Sequence, residues 1–255
     1  MASPEKILVE FCLPVYNEEN ILKENTLKLL QFFKQQKYNF AWQIIILNNG
    51  STDNSKLIGQ ELVNHQIKII DYEESGKGRA IKQYGLVSRA DWLFYMDIDL
   101  AVSLENINDL IKQLIINQYD IIMGSRLLPR SKVDRSLARG LSSKIYNFLS
   151  RIILDHKFTD LQCGFKAIRT EVFKKIIPLI NDNNWFFDTE LIYLAYRQNY
   201  RLKEIPVNWS ENRYQQRKSK IRLFQDGFSF LIKLLKLKLR LVKLNKSLLN
   251  YEGKS

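Results

Sequence analysis

A repeated alternation of short apolar runs and helix-like segments constrains the fold of this chain more than any other feature. Short apolar runs that alternate with helices are typical of a mainly parallel sheet with helices on both faces. In such a sheet, ligands bind beyond the carboxyl ends of the strands, where polar residues follow each run. We therefore predict an α/β fold, with one domain over residues 1–222 built on a mainly parallel central sheet. The apolar runs are residues 7–13, 42–47, 67–70, 91–96 and 120–123.

Positive charge is concentrated towards the C-terminus. The net charge is +12, and residues 201–255 carry 14 basic but only 4 acidic side chains, which predicts an anionic partner. Residues 223–255 predict a basic amphipathic helix that either lies on an anionic membrane surface or packs on the core with its basic side chains in water. No nucleic-acid recognition motif accompanies the charge, so we expect no nucleic-acid partner. The basic positions at helical spacing are Lys233, Lys236, Arg240 and Lys243.

The sharpest chemical feature is the pair Asp97 and Asp99, which directly follows the apolar run 91–96. Two carboxylates two residues apart at a strand end converge on a hard cation such as Mg²⁺ or Mn²⁺. Burying them together without a cation is costly, and this placement distinguishes the pair from a chance Asp-x-Asp. A cation held there can bind a diphosphate and neutralise it as a leaving group.

Two further polar clusters follow apolar runs and predict anion-binding groups. Gly76-Lys77-Gly78 forms a turn whose backbone N–H groups and lysine can hold an anion at a helix start. Arg126 offers a guanidinium suited to bidentate contact with phosphate. The helix-like stretch 131–151 adds more basic residues. Taken singly, each of these features is equally an ordinary turn or a solvated charge.

Taken together, the motifs occur in an order and spacing that resembles family 2 glycosyltransferases. The branch that it resembles most glycosylates polyprenyl phosphates, as the dolichyl-phosphate glucosyl- and mannosyltransferases do. The resemblance spans residues 7–240 and implies a single GT-A, Rossmann-like catalytic domain. The motifs that carry it are residues 13–19, 49–53, 76–78, 97–99, 124–126, 159–166, 186–191 and 205–209.

The resemblance implies which residues hold the nucleotide-sugar donor. Pro14, Tyr16 and Glu18 match positions that contact the base and ribose. Asn49 matches the position that reads the base, and Lys77 matches a donor-side contact.

The resemblance also implies the groups around the reacting bond. Asp97 matches a position near the ribose and diphosphate, and Asp99 matches the ligand of a Mg²⁺ or Mn²⁺ cofactor. Arg126 and Arg139 match arginines that receive the acceptor phosphate. The implied reaction is an inverting transfer of a hexose to polyprenyl phosphate, with Asp97, Asp99 and Arg126 as the catalytic set. A phosphate acceptor is already anionic near neutral pH, so it requires no strong general base.

One departure from the family pattern bears on the donor. The usual pair of acids before Gly-Ser is Asn48-Asn49 here. An asparagine amide offers one acceptor and one donor, which complements the edge of uracil. We therefore expect a UDP-sugar rather than a GDP-sugar, with glucose as the transferred hexose.

Two other functions stay open at this point. The same fold can glycosylate a sugar or glycan acceptor, for which Asp160 or Asp188 would serve as the catalytic carboxylate. A non-catalytic membrane-binding module on this fold is the second alternative, supported by the change at Asn48-Asn49.

The sequence also predicts where the protein works. Cys12 and Cys163 cannot form a disulfide framework, which indicates a reducing compartment. No apolar run reaches the length that crosses a bilayer. We expect a cytoplasmic protein bound peripherally to the cytosolic face of a membrane.

Overall fold

A computed structural model of the chain describes residues 7–116, 118–211 and 229–242. The strands are β1 (Leu8–Val15), β2 (Ala41–Asn49), β3 (Ile67–Tyr72), β4 (Trp92–Met96), β5 (Ile121–Ser125), β6 (Lys132–Asp134), β7 (Phe165–Arg169), β8 (Leu202–Pro206) and β9 (Asn208–Ser210). The helices are α1 (Glu19–Gln35), α2 (Ser55–Glu61), α3 (Lys77–Val87), α4 (Glu105–Ile116), α5 (Leu137–Leu154), α6 (Thr170–Ile176), α7 (Phe187–Arg197) and α8 (residues 229–242).

The central sheet has seven strands in the order β3-β2-β1-β4-β7-β5-β8. All neighbouring pairs are parallel except those of β7, which runs antiparallel to both β4 and β5. The predicted α/β fold with a mainly parallel sheet is therefore confirmed.

Both faces of the sheet are buried, which explains why its strands are continuous apolar runs rather than alternating ones. Successive side chains point to opposite faces. Phe11 and Phe94 accordingly pack in one apolar cluster, whereas their neighbours Cys12 and Tyr95 pack in the other.

The reversed direction of β7 shapes the carboxyl edge of the sheet. Phe165, the first residue of β7, pairs with Met96, the last residue of β4. The loop that precedes β7 therefore arrives beside Asp97 and Asp99, at the edge where the parallel strands end. Residues 159–164 thus join the polar cluster that the sequence places after β4.

The stretch 131–151 is only partly helical. Lys132–Asp134 forms β6, which pairs in parallel with β9 in a small second sheet, and α5 begins at Leu137. A partner strand 76 residues further along the chain draws these three residues out of the helix that the local sequence favours.

The tail packs against the body wherever the structure describes it. In α8, Leu234 and Leu237 are fully buried with Leu154 of α5 and with Phe186 and Tyr193. Within the described ranges, no helix is long and apolar enough to cross a membrane. The predicted boundary between residues 222 and 223 lies outside the described residues.

Two of the four predicted basic positions of the tail are used in this packing. Lys233 Nζ lies 2.6 Å from Asp182 Oδ2, and Arg240 Nη2 lies 3.0 Å from Glu190 Oε1. These two cations therefore face the protein and not a membrane, whereas Lys236 is exposed. Lys243 lies outside the described residues.

Candidate active site

Lys77 and Asp97 meet at the carboxyl edge of the sheet. Lys77 is the first residue of α3 and Asp97 follows β4, and Lys77 Nζ lies 2.7 Å from Asp97 Oδ1. The lysine is buried, while 41% of the Asp97 side chain remains exposed. Burial alone would lower the pKa of Lys77, but the carboxylates of Asp97 and Asp188 outweigh it and raise that pKa. Lys77 is therefore a fixed cation at the place where a donor diphosphate is expected.

A buried network of Asp188, Lys166 and Tyr95 lies next to Lys77. Asp188, in α7, accepts hydrogen bonds from Lys166 Nζ at 2.6 Å and from the Tyr95 hydroxyl at 2.5 Å, and its other oxygen lies 3.7 Å from Lys77 Nζ. Burial would raise the pKa of Asp188, but Lys166 and Lys77 hold it below its usual range. Asp188 is therefore an ionised, fully engaged carboxylate that positions Lys77.

Asp97 and Asp99 fit the requirements of a Mg²⁺ or Mn²⁺ ion that also binds a diphosphate. Both offer hard oxygen ligands, Asp97 is partly open to solvent, and the Ala101 N–H donates to Asp99 Oδ1 at 3.1 Å, which fixes that carboxylate. The described residues contain no group of three His, Cys, Asp or Glu side chains suited to a metal. Two carboxylates leave coordination positions for phosphate oxygens and water, which is how Mg²⁺ sites with nucleotides are built.

The backbone of Gly164 packs directly against the side chains of Asp97 and Lys77, a contact that the sequence did not predict. A Cβ at this position would lie 2.3 Å from Asp97 Oδ2 and 2.8 Å from Lys77 Nζ. Only glycine lets the loop before β7 approach the pair so closely. The motif Cys163-Gly164-Phe165 was visible in the sequence, but no local pattern says which side chains this glycine faces.

Arg126 is held rigidly by Asp160. Its Nε and Nη2 donate to the two carboxylate oxygens of Asp160 at 2.7 and 2.9 Å, and its backbone N–H also donates to Oδ2. Burial would raise the pKa of Asp160, but Arg126 lowers it. This bidentate pair fixes the guanidinium at the end of β5, beyond the same edge of the sheet that carries Asp97.

A second arginine, Arg135, lies close to Arg126. Both guanidinium carbons lie over the ring of Trp209, at 5.4 Å for Arg135 and 5.9 Å for Arg126. Burial, and then the charge of Arg126, lowers the pKa of Arg135 to about 10. Its Nε and Nη1 are buried and have no hydrogen-bond partner among the described residues.

Arg139, the other predicted phosphate ligand, is engaged elsewhere. Its guanidinium pairs with Glu211, and its backbone carbonyl accepts a hydrogen bond from Arg135 Nη2 at 2.8 Å. Among the basic residues of 131–151, Arg135 therefore has buried N–H groups next to Arg126 for which the described part of the chain offers no hydrogen-bond partner.

Both polar groups of the Asn49 side-chain amide are hydrogen-bonded to backbone atoms. Its Nδ2 donates to the carbonyl of Val15 at 2.7 Å, and its Oδ1 accepts from the Gly76 N–H at 3.0 Å. The amide thus ties the end of β1 to the turn before α3 rather than offering a free edge to a base. The neighbouring Asn48 donates to Asp71 and keeps a buried Oδ1 that has no partner among the described residues.

The other predicted donor residues cluster at the end of β1. Pro14 is buried in the strand and pairs with Leu47 of β2, and Tyr16 is exposed just beyond it. Glu18 is buried, and its backbone N–H donates to the hydroxyl of Ser55 at 2.8 Å. Tyr16 therefore presents an accessible ring at the edge where Lys77 and Asp97 lie, as a base-binding position requires.

Comparison with known proteins agrees with this geometry. Residues 10–177 match the model of glycosyl transferase family 2. The chain is 32% identical over 212 residues to glycosyltransferase AglD of Haloferax volcanii, covering 82% of this chain and 34% of AglD. It is 29% identical over 234 residues to the dolichyl-phosphate beta-glucosyltransferase of Saccharomyces cerevisiae, covering 81% of this chain and 68% of the yeast protein. The chain thus spans about a third of the first relative's length and about two thirds of the second's.

A solved structure shares the fold. Glucosyl-3-phosphoglycerate synthase of Mycobacterium tuberculosis, in complex with Mn²⁺, UDP-glucose and phosphoglyceric acid, matches with a TM-score of 0.64 at 13% identity, over 92% of this chain and 79% of that chain. At this identity the likeness concerns the fold alone, which is GT-A. With the family model matched over most of the α/β domain, this chain belongs to glycosyl transferase family 2.

Proposed function

We propose that this chain transfers glucose from UDP-glucose to a polyprenyl phosphate such as dolichyl phosphate, with inversion at the anomeric carbon. The observation that carries the proposal is the pair Arg126 and Arg135, stacked on Trp209. The buried Nε and Nη1 of Arg135 have no partner among the residues that the structure describes, and they favour an anion, because leaving such donors unpaired is costly. An acceptor phosphate supplies that anion.

The state of the two candidate carboxylates favours a phosphate acceptor over a sugar. A sugar hydroxyl needs a general base within reach. Asp160 is fully buried against Arg126, and Asp188 is buried between Lys166 and Tyr95. Both have lowered pKa values and all their close contacts are to cations or donors, so neither is placed to accept a proton from a substrate. A phosphate dianion needs no such base.

The chemistry then follows from charge placement. A phosphate oxygen of the lipid attacks C1 of glucose, the bond from C1 to the diphosphate oxygen breaks, and UDP leaves with that electron pair. Arg126 and Arg135 neutralise the attacking phosphate, which reduces its repulsion from the donor diphosphate. Lys77 supplies positive charge on the donor side. Asp99, with Asp97 beside it, would hold Mg²⁺ or Mn²⁺, and that charge supports the leaving diphosphate.

The donor assignment draws on relatives and not on Asn49. Both groups of the Asn49 amide have backbone partners, so its complementarity to uracil is not free for use. Support for UDP-glucose comes from the beta-glucosyltransferase relatives and from the UDP-glucose in the mycobacterial structure. Stronger product inhibition by GDP than by UDP would contradict this part of the proposal.

The test of the acceptor site is a transfer assay with UDP-[¹⁴C]glucose, Mn²⁺ and a short polyprenyl phosphate in detergent micelles. Arg135→Gln should raise the acceptor KM about tenfold or more, because a charged hydrogen bond contributes about 1.5–3 kcal/mol. The donor KM should stay unchanged. Arg130→Gln, an exposed arginine five residues earlier, is the matched control. An unchanged acceptor KM in Arg135→Gln would contradict the proposed phosphate site.

A second variant tests the metal. Asp99→Ala should abolish the lipid-dependent release of UDP. Any lipid-independent release of UDP that remains should not depend on Mn²⁺. UDP release without any dependence on lipid in the unaltered protein would indicate that the acceptor is a glycan.

We further propose that the protein works as a peripheral protein at the cytosolic face of a membrane, because a lipid acceptor must be met at the bilayer surface.

A further inference from the structure

Helix α5 exposes a continuous apolar stripe. Its members are between 50% and 92% exposed and follow one another at intervals of four, four, three and four residues, so they lie on one face of the helix. An amphipathic helix of a water-soluble protein normally turns such a face to the core. The stripe consists of Leu137, Leu141, Ile145, Phe148 and Ile152.

The opposite, polar face of α5 is the buried one, and hydrogen bonds lock it there. Asn147 Oδ1 accepts from the Leu161 N–H at 3.1 Å, and its Nδ2 donates within the helix to Ser143. The Ser150 hydroxyl is fully buried and lies 3.1 Å from His156 Nε2. Rotating the helix to bury its apolar stripe would break the bonds to Leu161 and His156, which lie outside α5. The exposure of the stripe is therefore built into the fold.

Helix α8 lies beside α5 and carries a second stripe. Tyr146 of α5 and Phe230 of α8 have ring centroids 5.5 Å apart, and Leu154 packs with Leu234. On the outer side of α8, four apolar residues are between 38% and 61% exposed. They are Ile232, Leu235, Leu239 and Val242. We call the two stripes together the α5–α8 surface.

The charged residues within α5 and α8 are all basic, although the exposed Asp155 directly follows α5. Residues 137–154 and 229–242 contain seven basic residues and no acidic one. Three of the seven pair with acidic residues of the body, through Arg139, Lys233 and Arg240. Lys144 and Arg151 of α5 are exposed, and the 3.6-residue periodicity places them next to the apolar stripe. Apolar side chains flanked by exposed basic ones complement an anionic bilayer, whose acyl chains meet the apolar residues and whose phosphates meet the basic ones.

We propose that the α5–α8 surface seats the protein on an anionic lipid bilayer, with α5 lying in the interface. Binding through this surface does not depend on transferase activity. The role of this surface in catalysis rests on the proposed function. Because α5 begins two residues after Arg135, binding through the surface would bring the proposed phosphate-binding arginines close to the membrane. The membrane contact predicted for the tail alone is thereby assigned mainly to α5, which lies within the catalytic domain.

Vesicle flotation with the full chain tests this proposal. The probes are vesicles of phosphatidylcholine alone and vesicles with 30% phosphatidylglycerol. The variant Leu141→Ser/Ile145→Ser/Phe148→Ser should lower the partition coefficient on the anionic vesicles about 100-fold, because it removes three apolar side chains that the bilayer would bury. Lys144→Gln/Arg151→Gln should lower it about 30-fold on anionic vesicles only, at about fivefold per basic residue.

The matched control replaces the same number of exposed apolar residues elsewhere on the protein. Leu57→Ser/Val63→Ser/Val87→Ser alters residues that are each more than 50% exposed and lie outside both helices. This control should bind vesicles as the unaltered protein does. Equal loss of binding in the control and the α5 variant would overturn the proposal, and so would binding by the α5 variant at the unaltered level.

Sedimentation and transfer assays separate the remaining explanations. If the unaltered protein is a dimer that the α5 variant dissociates, and neither binds vesicles, the surface joins two copies and the proposal is wrong. Transfer to a short acceptor in detergent should survive in the α5 variant. Vesicle binding without any transfer activity would uphold the surface while contradicting the proposed function, so the two failures are distinguishable.

Discussion

The replacement Gly164→Ala tests the candidate active site with a single methyl group. The new Cβ would lie 2.3 Å from Asp97 Oδ2, whereas ordinary contact begins at about 3.4 Å. The Asp97 carboxylate must therefore move by about 1 Å, and Lys77 Nζ, 2.8 Å from the same point, must move with it. A displacement of about 1 Å among groups that position a substrate costs on the order of 100-fold in rate. We expect kcat to fall by about that factor.

The same change should leave stability nearly untouched. Gly164 is not among the glycines with positive φ, so alanine fits its backbone conformation. The carboxylate that must yield is 41% exposed and can move towards solvent. Gly140→Ala in α5 is the control, because a Cβ there meets nothing within 4 Å.

The assay compares both variants in initial rates of glucose transfer over a range of Mn²⁺ concentrations, together with thermal unfolding. Gly164→Ala should lose about 100-fold in kcat at an unchanged Tm, and Gly140→Ala should keep the full rate. If Gly164→Ala transferred glucose at the normal rate, the assigned role of the Lys77–Asp97 pair would be refuted. A parallel fall in Tm would show that the loss reflects folding instead of positioning.

Three further predictions concern stability. Asp188→Asn should cost about 3–5 kcal/mol in urea denaturation, because it leaves the buried Lys166 uncompensated, and adding Lys166→Met should recover part of that loss. Burial and a nearby arginine lower the pKa of His156 from 6.5 to about 4, and its Nδ1 accepts from the Phe158 N–H. The unfolded chain then binds more protons between these values, so stability should fall as the pH drops from about 6.5 to 4, and His156→Asn should flatten that dependence in pH-dependent unfolding. Leu237→Ala should loosen α8 and speed limited proteolysis there, with exposed Leu239→Ala as the control, because a fully buried leucine contributes about 2–5 kcal/mol.

Much of the fold was predictable because it depends on patterns local in the chain. Apolar runs such as 42–47 and 91–96 coincide with β2 and β4, and both are buried on two faces as continuous apolar runs require. The direction of β7 was not predictable. β7 has the sequence Phe-Lys-Ala-Ile-Arg and is not among the apolar runs, and no local pattern says whether such a segment pairs in parallel or antiparallel. Only the assembled sheet places Phe165 opposite Met96.

The candidate site, like the fold, has features that follow from the local sequence and features that do not. The sequence by itself determined that Asp97, Asp99, Lys77 and Arg126 stand at strand ends or helix starts, and strand ends of a parallel sheet share one edge. Their charges and the chemistry they favour follow from residue type. The roles of these residues as ligands of metal, donor and acceptor stay predictions.

Only the tertiary structure decided which side chains are free and which are occupied. Asn49 and Arg139 find partners in Gly76 and Glu211, 27 and 72 residues away, while the buried Nε and Nη1 of Arg135 have no hydrogen-bond partner within the part of the chain that the structure describes. The same is true of the exposed stripe on α5, whose period is visible in the sequence but whose outward direction depends on the bonds that bury Asn147. Local sequence fixes spacing and residue type, whereas orientation is set by contacts between segments far apart in the chain, and those exist only once the chain has folded.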